Sequence, residues 1–329
     1  MRALTYTAPH QMVMEDHPRP VPGPGESEIS IAVAGICGSD VSGFLGHSAR
    51  RVAPLVLGHE LVGRRADGQR VVVNPLLSCG HCSACISGTQ NLCSSWKLLG
   101  MDQTAGCYAE YVAIADSQIY PIPDTLPDQR AALVEPLANI VHLFRIASPA
   151  PFFRMGIVGG GTMGALALLT ALRLGVREIL VQDVSEPRLA VVRAMGATLA
   201  VNAATEDGRS EARRFAGHGL DLVLDASGSE AARQSAFDLC RPGGLIVLLG
   251  MGKQKSEIDF VTSIRKEHRV AMSFAYTPVD FERSLSLLTS GQVDLTPWTV
   301  ELPLEEGQKA FDIMTTTPGD TLKMLLRVN

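Results

Sequence analysis

The second half of the chain alternates short apolar runs with stretches of helical periodicity, and this alternation restricts the possible fold more than any other feature. Buried strands are predicted for "RMGIVG", "EILVQD", "LDLVLDAS" and "GLIVLLG". Helices are predicted between them for "MGALALLTALRLG", "EPRLAVVRAMGA" and "SEAARQSAFDLC". Because repeated strand–helix–strand units bury their apolar faces on one sheet, the pattern predicts an α/β domain with a doubly wound parallel sheet.

A glycine-rich turn joins the first of these strands to its helix. The stretch "GGGTMG" places Gly159, Gly161 and Gly164 in the G-x-G-x-x-G pattern, with Thr162 and Met163 between them. Such glycines allow a tight turn, the close approach of a pyrophosphate and close packing of helix on strand. The helix N-terminus then faces the anionic phosphates. The glycines alone also fit a packing turn without a nucleotide.

Two charged residues near the end of the next strand could contact the adenosine part of a bound nucleotide. Asp183 follows Gly164 by 19 residues, where an acidic side chain accepts hydrogen bonds from the adenosine ribose. Its charge would repel a ribose 2′-phosphate, so the sequence predicts NAD over NADP. Arg188 could stack on the adenine, although an exposed helix arginine is an equal alternative.

The first third of the chain has a different character. Short, partly alternating stretches bounded by Gly, Pro or Ser predict strands at Ser27–Ile36, Arg70–Pro75 and Cys107–Ile114. Helical spacing begins near Asp128, and the strand–helix rhythm breaks near Tyr276. A β-rich domain is therefore expected beside the α/β domain.

Composition limits the classes of function. The 329 residues suggest about two domains. The net charge of −5 argues against a nucleic-acid partner, which needs a concentrated basic surface. The N-terminal segment lacks the pattern of a secretory signal, and no apolar run approaches the length of a membrane span. A cytoplasmic location is therefore expected, where clustered cysteines ligate metal more often than they form disulfides.

Four of the seven cysteines lie in one short loop. Cys79, Cys82, Cys85 and Cys93 have the spacing C-x2-C-x2-C-x7-C. Four thiolates suit tetrahedral zinc in a closed structural site, which leaves no position for water or substrate. An iron–sulfur cluster is the rival, but the ferredoxin pattern places its fourth cysteine after three residues and follows it with Pro. Here seven residues intervene and Ser94 follows, which favours zinc.

A second set of residues could supply a catalytic metal site. Cys37 and Ser39 occur in "GICGSD", His59 and Glu60 in "LGHELVG", and Glu135 in "ALVEPLA". One thiolate, one imidazole and one or two carboxylates can bind zinc with a position left open. From spacing alone, a core cysteine and a surface His–Glu pair remain the alternative.

Together these motifs resemble the zinc-dependent medium-chain dehydrogenase/reductase family over essentially the whole chain. "GICGSD" and "VEPLA" are more similar to its sorbitol-type (polyol) branch than to its primary alcohol dehydrogenases. The resemblance implies a GroES-like catalytic domain formed by residues 1–137 and 276–329. It also implies a Rossmann NAD-binding domain at residues 138–275, two zinc ions per chain, one catalytic and one structural, and a homodimer or homotetramer.

The resemblance also implies a role for each site residue. Cys37 and His59 would be ligands of the catalytic zinc, and Glu60 and Glu135 its exchangeable carboxylates. Ser39 would begin a proton relay. The alternatives are that Ser39 caps a helix and that Glu60 pairs with an arginine behind the metal.

The implied function is hydride transfer between NAD and a secondary alcohol, polyol or polyol phosphate. One departure weakens a sorbitol-specific interpretation: Ala275 occupies the position of a substrate-binding arginine beside Tyr276. Ser42 occupies the position of the relay histidine, so proton exit through water or another group is expected. Alternatives are a diol- or threonine-type dehydrogenase of the same family, and a non-catalytic NAD-binding sensor or structural protein.

Overall fold

The computed structural model describes residues 1–147 and 153–328. The chain divides into two compact units. The first unit consists of Met1–Ala138 and Tyr276–Asn329, and the second of Asn139–Ala275. Within the described part of the chain, no helix is long and apolar enough to cross a membrane.

Short strands dominate the chain before the second unit. The strands are β1 Arg2–Ala8, β2 Gln11–Asp16, β3 Glu26–Ile36, β4 Leu55–Val56, β5 Glu60–Arg64, β6 Arg70–Val73, β7 Leu76–Leu77, β8 Lys97–Leu98, β9 Tyr111–Ala115 and β10 Ile119–Pro121. The helices are α1 Gly38–Phe44, α2 Ser83–Ile86, α3 Asp128–Ala131 and α4 Val134–Ala147.

Strands and helices alternate through the second unit, and the chain then returns to the first. The second unit contains β11 Arg154–Val158, α5 Thr162–Arg173, β12 Glu178–Asp183, α6 Glu186–Ala194, β13 Leu199–Asn202, α7 Glu206–Ala216, β14 Leu220–Asp225, α8 Glu230–Leu239, β15 Cys240–Leu248, α9 Phe260–Arg265 and β16 Arg269–Met272. The C-terminal segment contains α10 Pro278–Thr289, β17 Thr299–Pro303, α11 Gly307–Thr316 and β18 Lys323–Arg327.

The main sheet of the first unit joins strands from both ends of the chain. Its order is β10-β6-β5-β3-β18-β17, and β9 also pairs with β3. The C-terminal β18 lies antiparallel to β3, with Met324 opposite Ile36 and Leu325 opposite Gly35. A smaller sheet has the order β2-β1-β4. This pairing places Lys323, the first residue of β18, beside the segment that follows β3.

The second unit is built on the parallel sheet that the sequence predicts. Six strands run in the order β13-β12-β11-β14-β15-β16, and every pair is parallel. Its central strands are inaccessible, as the fully buried Leu180, Val223 and Ile246 illustrate. Burial on both faces explains why these strands are continuous apolar runs.

One local expectation was wrong. The predicted strand Cys107–Ile114 begins only at Tyr111, because the amides of residues 106–108 donate to carbonyls of residues 56–58 instead of to a ladder. The helical spacing predicted after Asp128 is confirmed, and it forms two helices, α3 and α4. The buried strand predicted for "GLIVLLG" is confirmed, since it belongs to β15, which pairs with β14 and β16.

Candidate metal and nucleotide sites

Strand pairing in the first unit brings three potential metal ligands together. Cys37 follows the end of β3, and Glu60 is the first residue of β5, directly after His59. The two strands are antiparallel neighbours with Gly35 opposite Glu60. As a result, one ligand atom from each of Cys37, His59 and Glu60 lies within 4.8 Å of the others. The carboxylate and imidazole are buried, while the thiol is partly exposed.

Asp40 fixes the orientation of the His59 ring. Its Oδ1 lies 3.4 Å from His59 Nδ1, and its Oδ2 accepts a hydrogen bond of 2.9 Å from the Tyr108 hydroxyl. Arg51 Nε donates to Asp40 over 3.3 Å. With Nδ1 facing a carboxylate, Nε2 is the nitrogen left to bind a metal, an arrangement common around zinc-binding histidines.

Asp40 and His59 each favour the charged form of the other. Burial by itself raises the pKa of Asp40, but the neighbouring His59 and Arg51 prevail and hold it well below its ordinary value. Burial likewise lowers the pKa of His59, but Asp40 and Cys37 outweigh it and raise that pKa well above the usual range. Asp40 is therefore an ionised carboxylate at neutral pH.

Glu60 is held from behind by a buried lysine. Lys323, on β18, forms an ion pair with Glu60 Oε2, and its Nζ donates to the Ile36 carbonyl over 3.1 Å. Both side chains are about 1% exposed. A Cβ on Gly35 would lie 2.0 Å from Glu60 Oε2, so only glycine leaves room for this pair. Among the residues that the structure describes, Glu60 Oε1 has no hydrogen-bond partner although it is buried, which fits a cation beside the thiol and imidazole.

Glu135 approaches the same cluster from the first turn of α4. Burial raises the pKa of its carboxyl, Glu60 acts in the same direction, and His59 and the Tyr276 hydroxyl oppose it. The start of α4 is fixed to α10, because the Ser284 hydroxyl donates to the Val134 carbonyl over 2.8 Å. A second carboxylate is thus held near His59 and Glu60.

Ser39 lies in the first turn of α1, but its side chain does not cap that helix. The N-cap is Cys37, whose amide donates to Asp40 Oδ2 over 3.3 Å. The Ser39 hydroxyl instead accepts a 3.0 Å hydrogen bond from Arg51 Nη2. The Arg51 side chain packs against Gly43, where the Cβ of any other residue would lie 2.6 Å from Arg51 Cδ.

Sequence reasoning missed three residues around this cluster. Asp40 is the last residue of the "GICGSD" motif, so the motif itself could have indicated that Asp40 belongs to the site. Arg51 and Lys323 lie in unremarkable stretches, and only the tertiary fold brings them to Ser39 and Glu60.

The four loop cysteines converge around one point. One sulfur from each of the four lies within 4.8 Å of the others. Cys82 and Cys85 sulfurs are 3.5 Å apart, and the Cys79 amide donates to the Cys93 sulfur over 3.4 Å. Backbone N–H groups, led by that of His81, lower the pKa of Cys79 to about 6. Four thiols without another ligand type fit a closed zinc site.

The glycine turn of the second unit has the backbone that its pattern predicts. Gly159 has φ of 111°, a conformation that side chains disfavour. A Cβ on Gly164 would lie 1.8 Å from the Gly159 carbonyl oxygen. Gly161 is the N-cap of α5, so Thr162 and Met163 begin that helix. The turn leaves the N-terminus of α5 open to an anionic group.

Asp183 ends β12 beside this turn. Its Oδ2 accepts a 2.6 Å hydrogen bond from the Gly160 amide, and its Oδ1 accepts one of 2.8 Å from the Ser185 amide. Arg188 lies nearby on α6, since a Cβ on Gly161 would be 3.9 Å from Arg188 Nη1. The acid and the glycine turn therefore form one continuous surface.

Comparison with known proteins identifies the family. Residues 23–124 match the model of the alcohol dehydrogenase GroES-like domain, and residues 162–290 match that of the zinc-binding dehydrogenases. A probable D-xylulose reductase A from Aspergillus clavatus is 31% identical, and the match covers 92% of this chain and 90% of that protein. The chain belongs to the zinc-dependent medium-chain dehydrogenase/reductase family.

Solved structures agree with this assignment. Galactitol-1-phosphate dehydrogenase from Escherichia coli superposes with a TM-score of 0.90 at 25% identity, covering 100% of both chains. A protein from E. coli CFT073, described as a short chain alcohol dehydrogenase in complex with NADH, gives 0.92 at 25% identity and covers 100% of this chain and 99% of that one.

Family membership confirms several predictions. The fold is a GroES-like domain with a Rossmann domain. The protein is a zinc-dependent oxidoreductase that uses a nicotinamide cofactor and a small-molecule alcohol substrate. The non-catalytic alternative is not favoured.

Proposed function

We propose that the protein oxidises polyols, or reduces the matching ketoses, with NAD(H) at the Cys37–His59–Glu60 cluster. The observation that carries this proposal is the convergence of a thiol, an oriented imidazole and an unpartnered carboxylate oxygen within 4.8 Å. In this proposal residues 1–137 and 276–329 act as the catalytic domain and residues 138–275 as the NAD-binding domain. When bound, zinc supplies Lewis acidity toward a hydroxyl oxygen, and nicotinamide supplies a hydride acceptor.

The protein's own residues have distinct tasks in this proposal. Cys37 binds the metal as a thiolate and His59 through Nε2, with Asp40 fixing the ring. Glu60 and Glu135 supply carboxylates from opposite elements, and Lys323 limits how far Glu60 can move. The substrate is thereby held in a fixed orientation, which contributes much of the rate in reactions of this type.

Ser39 is the proposed proton acceptor. Arg51 occupies one lone pair of its Oγ, so the hydroxyl can still accept one hydrogen bond and donate another. That is sufficient for taking a proton from a substrate hydroxyl and passing its own onward. Because Ser42 stands in the position of the relay histidine, we propose that water completes the exit.

The four-cysteine loop is proposed as a second, structural zinc site. Its sulfur cage is complete without water or substrate, so we assign it no chemical step. The protein should therefore bind two zinc ions per chain, one for each ligand group.

NAD is the proposed cofactor form. Asp183 presents a carboxylate at the end of β12, held by two backbone amides. A ribose 2′-phosphate there would meet negative charge, and Arg188 on the adjacent helix is available to the adenosine ribose or adenine. A kcat/KM at least tenfold higher with NAD than with NADP, about 1.4 kcal/mol, is expected.

Polyols are the proposed substrates because the relatives are a xylulose reductase and a galactitol-phosphate dehydrogenase by name. The test is NADH formation over a panel of pentitols, hexitols, their phosphates and simple secondary alcohols. We expect activity with a polyol or its phosphate, its loss on chelation and its return with zinc. Absence of NADH formation across the panel by zinc-loaded protein would contradict the proposal.

We also propose a homodimer or homotetramer in the cytoplasm. The edge strand β16 and α9 expose apolar side chains, among them Phe260, Ile264 and Met272 at 67%, 73% and 78%. A second copy would cover this surface. The seven free thiols suit a reducing compartment.

A further inference from the structure

A mostly buried arginine in the second unit connects three segments at one end of the sheet. Arg233, on α8, has its Nε 3.7 Å from Asp225 Oδ2 at the end of β14. Its Nη2 donates to the Gly250 carbonyl over 3.3 Å, and its Nη1 donates to the Ser256 hydroxyl over 2.8 Å. The Arg233 side chain is only 14% exposed and that of Asp225 is fully buried. One guanidinium thus spans the end of β14, the chain just after β15, and the loop beyond it.

The segments that Arg233 joins pack backbone against backbone. A Cβ on Gly228 would lie 2.4 Å from the Gly250 carbonyl carbon, and a Cβ on Gly250 would lie 2.1 Å from the Gly228 nitrogen. The Lys253 amide donates to the Gly228 carbonyl over 2.9 Å. Asp225 Oδ1 accepts hydrogen bonds from the amides of Ser227 and Gly228. The turn after β14 and residues 249–256 therefore form one surface.

The strand order indicates which half of a dinucleotide this surface faces. In a sheet of order β13-β12-β11-β14-β15-β16, a dinucleotide lies across the carboxyl ends, one mononucleotide on each side of the β11–β14 switch point. Asp183 and the glycine turn mark the β11–β13 side as the adenosine side. The surface after β14 and β15 is therefore left for the nicotinamide half.

The 249–256 loop is held by backbone hydrogen bonds from the amides of Leu249, Gly250 and Lys253, and Arg233 adds side-chain hydrogen bonds to Gly250 and Ser256. Residues 251–255 are exposed and lie outside helices and strands. When the Arg233 hydrogen bonds are removed, an exposed loop of this kind samples more arrangements, and its apparent affinity for a ligand falls with the fraction that is binding-competent.

We propose that Arg233 is a positioning residue for the nicotinamide half of the cofactor, acting by fixing the 249–256 loop against the end of β14. The proposal rests on nucleotide binding by the second unit, which is part of the function proposed above. Arg233 itself need not touch the nucleotide. Its role is to present a preformed surface, so that binding does not have to order the loop.

The test compares two nucleotides in the full-length protein. NADH and ADP-ribose share the adenosine diphosphate and the second ribose. They differ in the nicotinamide ring, which ADP-ribose lacks. Arg233→Met should raise the Kd of NADH about tenfold while the Kd of ADP-ribose stays within about twofold. Arg233→Lys should fall between, because lysine keeps the charge near Asp225 but not the planar set of donors.

The matched control is Arg241→Met. Arg241 pairs with Asp221 at the opposite end of β14, its Nε 2.7 Å from Asp221 Oδ1, so both Kd values should stay unchanged. An unchanged NADH Kd in Arg233→Met, or equal weakening of both nucleotides, would overturn the proposal. If that variant does not fold, Ser256→Ala removes one anchor and should weaken NADH alone by about two- to threefold, and no change would again overturn it. Wild-type protein that binds neither nucleotide would instead reject the proposed function.

Discussion

The buried ion pair between Glu60 and Lys323 gives the sharpest stability prediction. Lys323→Met keeps the length and volume of the side chain but leaves the Glu60 carboxylate, about 1% exposed, without its cation. Breaking a buried pair from one side costs about 3–5 kcal/mol, since the remaining charge is uncompensated. The lost hydrogen bond to the Ile36 carbonyl acts in the same direction. Zinc-free Lys323→Met should therefore lose about 3–5 kcal/mol of unfolding free energy.

Urea unfolding of chelated protein, followed by a signal from the first unit, measures this change. The double variant Glu60→Gln/Lys323→Met removes both charges and should recover a large part of the loss. Lys309→Met is the matched control, because Lys309 and its partner Glu306 are 62% and 41% exposed. Such a surface pair contributes about 0–1 kcal/mol. A loss below about 1 kcal/mol in Lys323→Met, or no recovery in the double variant, would refute the reasoning.

Three further predictions concern the other sites. Cys93→Ser opens the four-sulfur cage, so metal analysis should find one zinc fewer per chain and the melting temperature should fall before kcat changes. Gly164→Ala places a Cβ 1.8 Å from the Gly159 oxygen, so calorimetric NADH titration should show weaker binding, and unfolding should show a loss of about 1–3 kcal/mol. Asp183→Asn removes the charge that repels a 2′-phosphate, so the ratio of kcat/KM for NAD over NADP should fall; an unchanged ratio would contradict that role.

Local patterns were sufficient for much of the fold. The succession of apolar runs and helical stretches predicted the parallel sheet, because each unit needs only its neighbours in sequence to define its type. The spacing of the four cysteines likewise predicted a cage within one loop. The prediction of a strand from Cys107 was wrong because the amides of residues 106–108 donate to the carbonyls of residues 56–58. These hydrogen bonds depend on tertiary contacts.

The residues that the sequence did not predict reach their partners through contacts between segments far apart in the chain. Lys323 reaches Glu60 only because β18 pairs with β3 and β3 with β5. Arg51 reaches Ser39 from a segment without a motif. In the second unit, the Arg233 contacts to Gly250 and Ser256 depend on two loops packing without side chains between them.

The zinc content and turnover of Cys37→Ala test the central claim most directly. If Cys37, His59 and Glu60 hold the catalytic zinc, mass-spectrometric metal analysis should find two zinc ions per wild-type chain and one in the variant. Polyol-dependent NADH formation should be abolished, while the Kd for NADH stays within about twofold, since the glycine turn is untouched. A variant that retains both zinc ions and full turnover would contradict the account.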